Sequence, residues 1–376
     1  MDRAPRVTAR ALPRIDAFPP HLAAIVADAD VIQARSVIAS WPGYRPTEMI
    51  ELPGLAATLG VASVIIKHEG TRFEVGSFKA LGPPYALWRE LERRRAWGDT
   101  ATITAVAATS GNHGRALAWG ARRMGAHSLI LMPAHTSPDR EAAIRGFGAE
   151  VVRVPGNFDA ALGAAIATCL GRAERILIAD VAGEAGYAVA RDTLAGYAVL
   201  ADEIATQRAN ESVSHVFVAA GNGTLAAASC ARLWQRLGAH RPRLISVEPT
   251  RSDCLRRSLD ADAAITLDPA GDSVMDGLVV GTPSRVAWPI LQAGLDAALA
   301  IEDDIAIEML RGLARGAWGE PRLKIGETGI AAIAGLAAAC RDPRARASLG
   351  IAQQSRLLAI ACEGVTDRAV FDGLTR

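Results

Sequence analysis

Cysteine is scarce in this sequence: five in 376 residues, scattered, odd in number and without a C-x-x-C pair. That excludes a secreted disulfide framework and fits a reduced cytoplasm. Charge of one sign is lacking as well. The formal net charge is +1, so attraction to a phosphate backbone does not dominate and no nucleic-acid partner is expected. The basic run Arg89, Arg93, Arg94, Arg95 is interleaved with Glu90 and Glu92 and reads as a solvated helix face. No apolar run reaches the length of a membrane span; Ile330–Cys340 is too short and too alanine-rich. Residues 1–20 carry arginines and prolines without a continuous apolar core, so no signal peptide is read there. Internal repeats and low-complexity tracts are missing too. The expectation is a soluble cytoplasmic protein with no membrane partner.

What the sequence does have is hydrophobic residue, 50% of the chain, enough for a sizeable core in one large α/β unit or two modest domains. Its middle alternates short β-branched runs with longer helical patterns. Strands are expected at Ile103–Ala108, Ser128–Met132, Glu150–Val154, Arg175–Ala179, Ser214–Ala219, Arg243–Val247 and Arg356–Ala361. Helices of crossover length lie between most of them, which implies parallel βαβ units with helices on both faces of the sheet. The chain loosens between Asp260 and Pro283, where Asp, Gly and Pro accumulate. The simplest division is a small inserted domain, 81–186, within a larger one built from 1–80 and 187–376.

Three segments carry chemistry. Lysine occurs only at positions 67, 79 and 324, and Lys79 follows Gly76-Ser77-Phe78 and precedes a small apolar run. Partial burial there would favour the neutral amine that Schiff-base chemistry requires, although a structural lysine would look the same. Thr109-Ser110-Gly111-Asn112-His113-Gly114 lies between an expected strand and an expected helix. Hydroxyls and free amides at a helix start suit a carboxylate or phosphate; an ordinary N-cap is the alternative. Ala220-Gly221-Asn222-Gly223-Thr224 again follows a strand and opens a helix. Its small residues admit an anion, and with no G-x-G-x-x-G a single phosphate suits it better than a dinucleotide.

In this order, S-F-K, S-G-N-H-G and a glycine-rich loop resemble the fold-type II pyridoxal-phosphate enzymes, the tryptophan synthase β-subunit superfamily. Leu131-Met132-Pro133 and Gly148-Ala149-Glu150-Val151-Val152 also look like that family, and the resemblance runs from about 46 to 367. Within the superfamily the sequence is most similar to the diaminopropionate ammonia-lyases. The phrases that carry this are Gly111–Arg115 with Ala118-Trp119, Gly196-Tyr197 with Leu200–Glu203, and Glu248-Pro249 with Asp253–Leu255. Gly326–Gly329 and Glu363-Gly364 with Thr366-Asp367 add to it.

The resemblance implies an α/β, two-domain fold with parallel-sheet domains and helices on both faces, and pyridoxal 5′-phosphate in the interdomain cleft. It implies that Lys79 carries the cofactor and relays the α-proton, and that Gly221, Asn222, Gly223, Thr224 and Leu225 cradle its phosphate. Asn112 would lie beside the ring hydroxyl, and Cys362 would face the pyridine nitrogen as a neutral partner that suits β-elimination. Thr109, Ser110, Gly111 and His113 would hold the substrate carboxylate, and Asp180 would act as base toward the L-substrate. No metal ligands are assigned. A homodimer is expected.

The implied activity is α,β-elimination on a small β-substituted L-amino acid, giving a 2-oxo acid and ammonia. A serine or threonine dehydratase-like enzyme is the nearest alternative, and a catalytically silent cofactor or amino-acid binding protein is another. Two departures bear on the choice. Ser110 stands where the ammonia-lyases carry an Asp serving the D-isomer, and Met275-Asp276-Gly277-Leu278 is more like a hydroxy-amino-acid dehydratase.

Overall fold

The computed structural model describes residues 4–96, 102–179, 186–208, 212–268 and 270–376. Eleven strands occur among them: β1 (Arg6–Ala9), β2 (Met49–Glu51), β3 (Ser63–His68), β4 (Thr104–Ala108), β5 (His127–Pro133), β6 (Glu150–Val154), β7 (Arg175–Leu177), β8 (His215–Ala219), β9 (Arg243–Pro249), β10 (Ala297–Ile301) and β11 (Arg356–Ala361). The seven strands expected from the sequence are β4 to β9 and β11, with ends within two residues of those expected. The chain divides into two units: 1–28, 46–71 and 200–376 form one, and 29–45 with 72–199 form the other. The second takes in 81–186 and, beyond it, 29–45, 72–80 and 187–199.

The larger unit holds a seven-stranded sheet in the order β1-β10-β9-β8-β11-β3-β2. From β10 to β3 the neighbours are parallel. The inner strands β8 (HVFVA) and β10 (AALAI) are buried at every residue, the pattern of parallel strands covered on both faces. β1 and β2 close the two sides as antiparallel additions to β10 and β3. Both are short and partly exposed, which leaves no long flat edge for further pairing. The alanine-rich segment noted above forms most of the helix Ala331–Arg341, buried from Ala331 to Cys340. Among the described residues no helix is long and apolar enough to cross a membrane.

The smaller unit holds a wholly parallel sheet, β6-β5-β4-β7. Its crossovers are the helices Asn112–Met124, Pro138–Arg145 and Phe158–Cys169. Strand alternation sends Ala105, Ala107, Ile130 and Met132 to one face, where they meet Leu117, Ala121 and Ile144 of the first two helices. Val106, Leu129 and Leu131 point to the other face, against Ala161 and Ala165 of the third helix. Ser137 and Asn157 cap the second and third helices by accepting from the Arg140 and Ala160 amides. The first helix starts from Gly111 with no side-chain cap. That uncapped start lies in the S-G-N-H-G segment.

Candidate active site

Burial separates the three lysines. Lys67 is wholly buried, and its ammonium donates to Glu203 Oε2 at 2.7 Å, Gln207 Oε1 at 2.8 Å and the Thr47 carbonyl at 2.9 Å. Lys324 is exposed. Lys79 is half-buried on the 3-10 turn Phe78–Ala80 of the smaller unit, whose start is capped by Ser77 Oγ accepting from the Lys79 amide. Its Nζ lies 5.3 Å from the centroid of the Phe78 ring and 5.5 Å from that of Tyr197. The turn packs on the helix Asn112–Met124, where Ala80 meets Ala116 and Trp119. Lys79 and the S-G-N-H-G segment therefore belong to one packed region.

In that segment Thr109 follows β4, and its hydroxyl accepts from the Gly111 amide at 2.9 Å. Gly111 is extended, and Asn112 is the first helical residue. His113 is buried with Nε2 2.8 Å from the Ile178 carbonyl, so its ring ties the helix to the chain beyond β7. The carbonyl of Ser110 accepts from Arg140 Nη1 at 3.3 Å, a contact sequence reasoning did not foresee. Asp180 lies outside the described residues.

The glycine loop belongs to the larger unit and leaves the end of β8. Asn222 Oδ1 accepts from the Thr224 amide at 3.1 Å and from its hydroxyl at 3.0 Å, closing a tight turn. The Asn222 carbonyl accepts from the Ser284 amide. Gly223 has φ +87°, a left-handed conformation that any Cβ would strain. The helix Thr224–Leu237 therefore starts without a side-chain cap.

β11 lies beside β8, so Cys362 and Gly221 follow the ends of neighbouring strands. Cys362 is buried, and next to it Glu363 Oε1 accepts from the Thr328 amide at 3.0 Å. Thr328 Oγ1 accepts from the Gly277 amide at 3.1 Å. A Cβ on Gly221 would stand 3.3 Å from the Gly277 carbonyl oxygen. The Asp276-Gly277-Leu278 turn thus lies between the glycine loop and the end of β11. Glu248, at the end of β9, accepts through both oxygens from the Leu255 and Arg256 amides at 2.8 Å. Glu248 and Tyr197 fall within the family-like phrases of the sequence, where nothing local marks a role for either.

A profile of the pyridoxal-phosphate dependent enzyme family matches residues 40–363. The chain belongs to that family. Its sequence is 29% identical over 344 residues to diaminopropionate ammonia-lyase of Escherichia coli (strain K12), covering 86% of each chain. It is 29% identical over 256 residues to a biosynthetic L-threonine dehydratase of the same strain, covering 66% of this chain and 45% of that protein. The holo crystal structure of diaminopropionate ammonia lyase from Escherichia coli matches with a TM-score of 0.89 at 26% identity. That match covers 99% of this chain and 97% of the other, and the fold is that of the fold-type II pyridoxal-phosphate enzymes.

The residues present fit the family's cofactor. Among the described residues the amides of Gly223, Leu225 and Ala226 donate to no protein acceptor, and they cluster at an uncapped helix start. A dianion is the ligand such a group suits. Glycine suits position 223, where φ is +87° and a Cβ would lie 2.7 Å from Leu291 Cδ1. Lys79 is the lysine of intermediate burial, between the wholly buried Lys67 and the exposed Lys324.

Proposed function

We propose that this pyridoxal-phosphate dependent enzyme catalyses α,β-elimination on a small β-substituted L-amino acid, releasing a 2-oxo acid and ammonia, as a diaminopropionate ammonia-lyase does. The observation that carries the reading is the likeness to that enzyme over 86% of both chains. When bound, the cofactor supplies an electron sink for the pair left at Cα. Lys79 would hold the cofactor through its amine and relay the Cα proton. The loop Gly221 to Leu225 would bind the phosphate, with the first-turn amides as donors. Asn112 would lie by the ring hydroxyl, and the neutral Cys362 thiol would face the ring nitrogen. The amides and hydroxyls of Thr109, Ser110, Gly111 and His113 would hold the substrate carboxylate, and Asp180 would be the base for the L-substrate.

A second reading, elimination of water from a hydroxy amino acid, is favoured by one feature: the Asp276-Gly277-Leu278 turn, a carboxylate-bearing turn beside the glycine loop. The test is 2-oxo acid release by cofactor-loaded protein given L- and D-diaminopropionate, L-serine and L-threonine. The expected result is pyruvate from the L-diamine and little from the D-form, because position 110 is Ser and bears no carboxylate. Comparable turnover of both isomers would sink the stereochemical part. Activity on the hydroxy amino acids alone would favour the dehydratase. Lys79→Ala should abolish turnover; a silent binding protein would keep its ligand affinity in that variant. A homodimer is proposed as the assembly, to be checked by light scattering on the eluting protein.

A further inference from the structure

The binding roles above leave Glu248 without a purpose. It is wholly buried, and it follows Val247, whose carbonyl accepts from the Ala220 amide where the glycine loop begins. Both its oxygens accept from the Leu255 and Arg256 amides at 2.8 Å, at the start of the helix Cys254–Ala261. That helix has an Asp of its own at the N-cap, Asp253, which does not cap it. Asp253 is taken up by Arg256 and Arg257, whose Nε atoms donate to it at 2.8 and 2.7 Å. A local cap would satisfy the helix without burying a second carboxyl. A cap carried by β9 does more, because it ties the helix start to the sheet at the level of the loop.

The same helix start packs on the loop. Cys254 Sγ donates to the Gly221 carbonyl at 3.8 Å, and a Cβ on Gly223 would stand 3.2 Å from both methyl carbons of Leu255. Gly223 leads into the helix Thr224–Leu237, whose uncapped first turn offers its amides to a dianion. Such donors serve only when they are held at hydrogen-bond distance and angle, so the wall behind the loop matters to them. We propose that Glu248 is a positioning residue for the cofactor phosphate: it holds Cys254 and Leu255 against the glycine loop and so keeps the loop amides aimed. The inference rests on the reading of Gly221 to Leu225 as the phosphate loop. Glu248 acts through the helix start, and the role needs no contact with cofactor or substrate.

The test uses the full-length chain freed of cofactor, and compares Kd for pyridoxal 5′-phosphate with Kd for pyridoxal by equilibrium dialysis. The two ligands share ring and aldehyde, and only the first has a phosphate. Glu248→Ala removes both acceptors and should raise Kd for the phosphorylated ligand about tenfold, leaving that for pyridoxal unchanged. Glu248→Gln keeps the size and one accepting oxygen and should fall between Ala and the parent; it also serves as the second variant should Ala fail to fold by circular dichroism. A purely structural role would lower Tm and weaken both ligands alike, which overturns the proposal. Gly223→Ala, run beside them, tests the loop itself. If it leaves the ratio of the two Kd values unchanged, the phosphate loop is wrongly assigned and the inference goes with it. If Gly223→Ala shifts the ratio and neither Glu248 variant does, the loop stands and the role of Glu248 alone is overturned.

Discussion

Glu248 is wholly buried, and both its oxygens accept from backbone amides at the start of the helix Cys254–Ala261. Burial pushes its carboxyl up to about 8, against the downward pull of those two amides. A folded value above the ordinary 4.5 means the folded chain holds a proton that the unfolded chain has released. The stability this group contributes is complete below 4.5 and is lost as pH rises toward 8. Glutamine does not titrate, so Tm of Glu248→Gln should vary less than that of the parent across this window. Parallel Tm profiles would mean the carboxylate is ionised in the fold. At this scale the sequence was legible in part. Lys79 stood out by its neighbours and by the scarcity of its kind. The ring of His113 did not reveal its bond to Ile178, 65 residues away, because nothing local marks a partner so distant.

Among the elements, the glycine loop and its helix are the most sharply constrained. Ala at 223 would meet two costs: a left-handed φ, about 1–2 kcal/mol for a residue with a Cβ, and a Cβ 2.7 Å from Leu291 Cδ1. Gly223→Ala should raise the cofactor Kd at least about tenfold, measured by equilibrium dialysis. Gly163→Ala, where a Cβ meets nothing within 4 Å, is the control and should leave Kd unchanged. Equal affinities for the two variants would show that the loop does not hold the phosphate. Strands β4 to β9 and β11 were readable because β-branched runs alternate with helical patterns. β10 was not: Ala297-Ala298-Leu299-Ala300-Ile301 is alanine-rich and becomes a strand through its pairing with β9 and β1. β3 was hidden because its apolar run ends in Lys67 and His68, and the buried ion pair that accommodates Lys67 is a tertiary fact. At three residues, β2 offers no periodicity.

Among the described residues, two mainly parallel sheets carry most of the proposed site near strand ends. Lys79 stands outside that pattern, on a short turn. The sheets follow from alternating strands and crossovers, so the fold class was legible before any coordinates. Assignment of 29–45 to the smaller unit was not, since it is separated in sequence from 72–199 and joins it through rings: Trp41 lies 5.8 Å from Trp119 and Tyr44 lies 6.2 Å from Phe73. The lysine distribution has a practical consequence for handling the protein. Lys67 is sealed away and Lys324 is exposed, so dyes, biotin esters and cross-linkers that react with side-chain amines find few anchorage points. Immobilisation through such an amine would attach the chain chiefly at Lys324, in one orientation. Fluorescent labelling before and after cofactor loading checks the role proposed for Lys79, the expected outcome being the loss of one reactive amine.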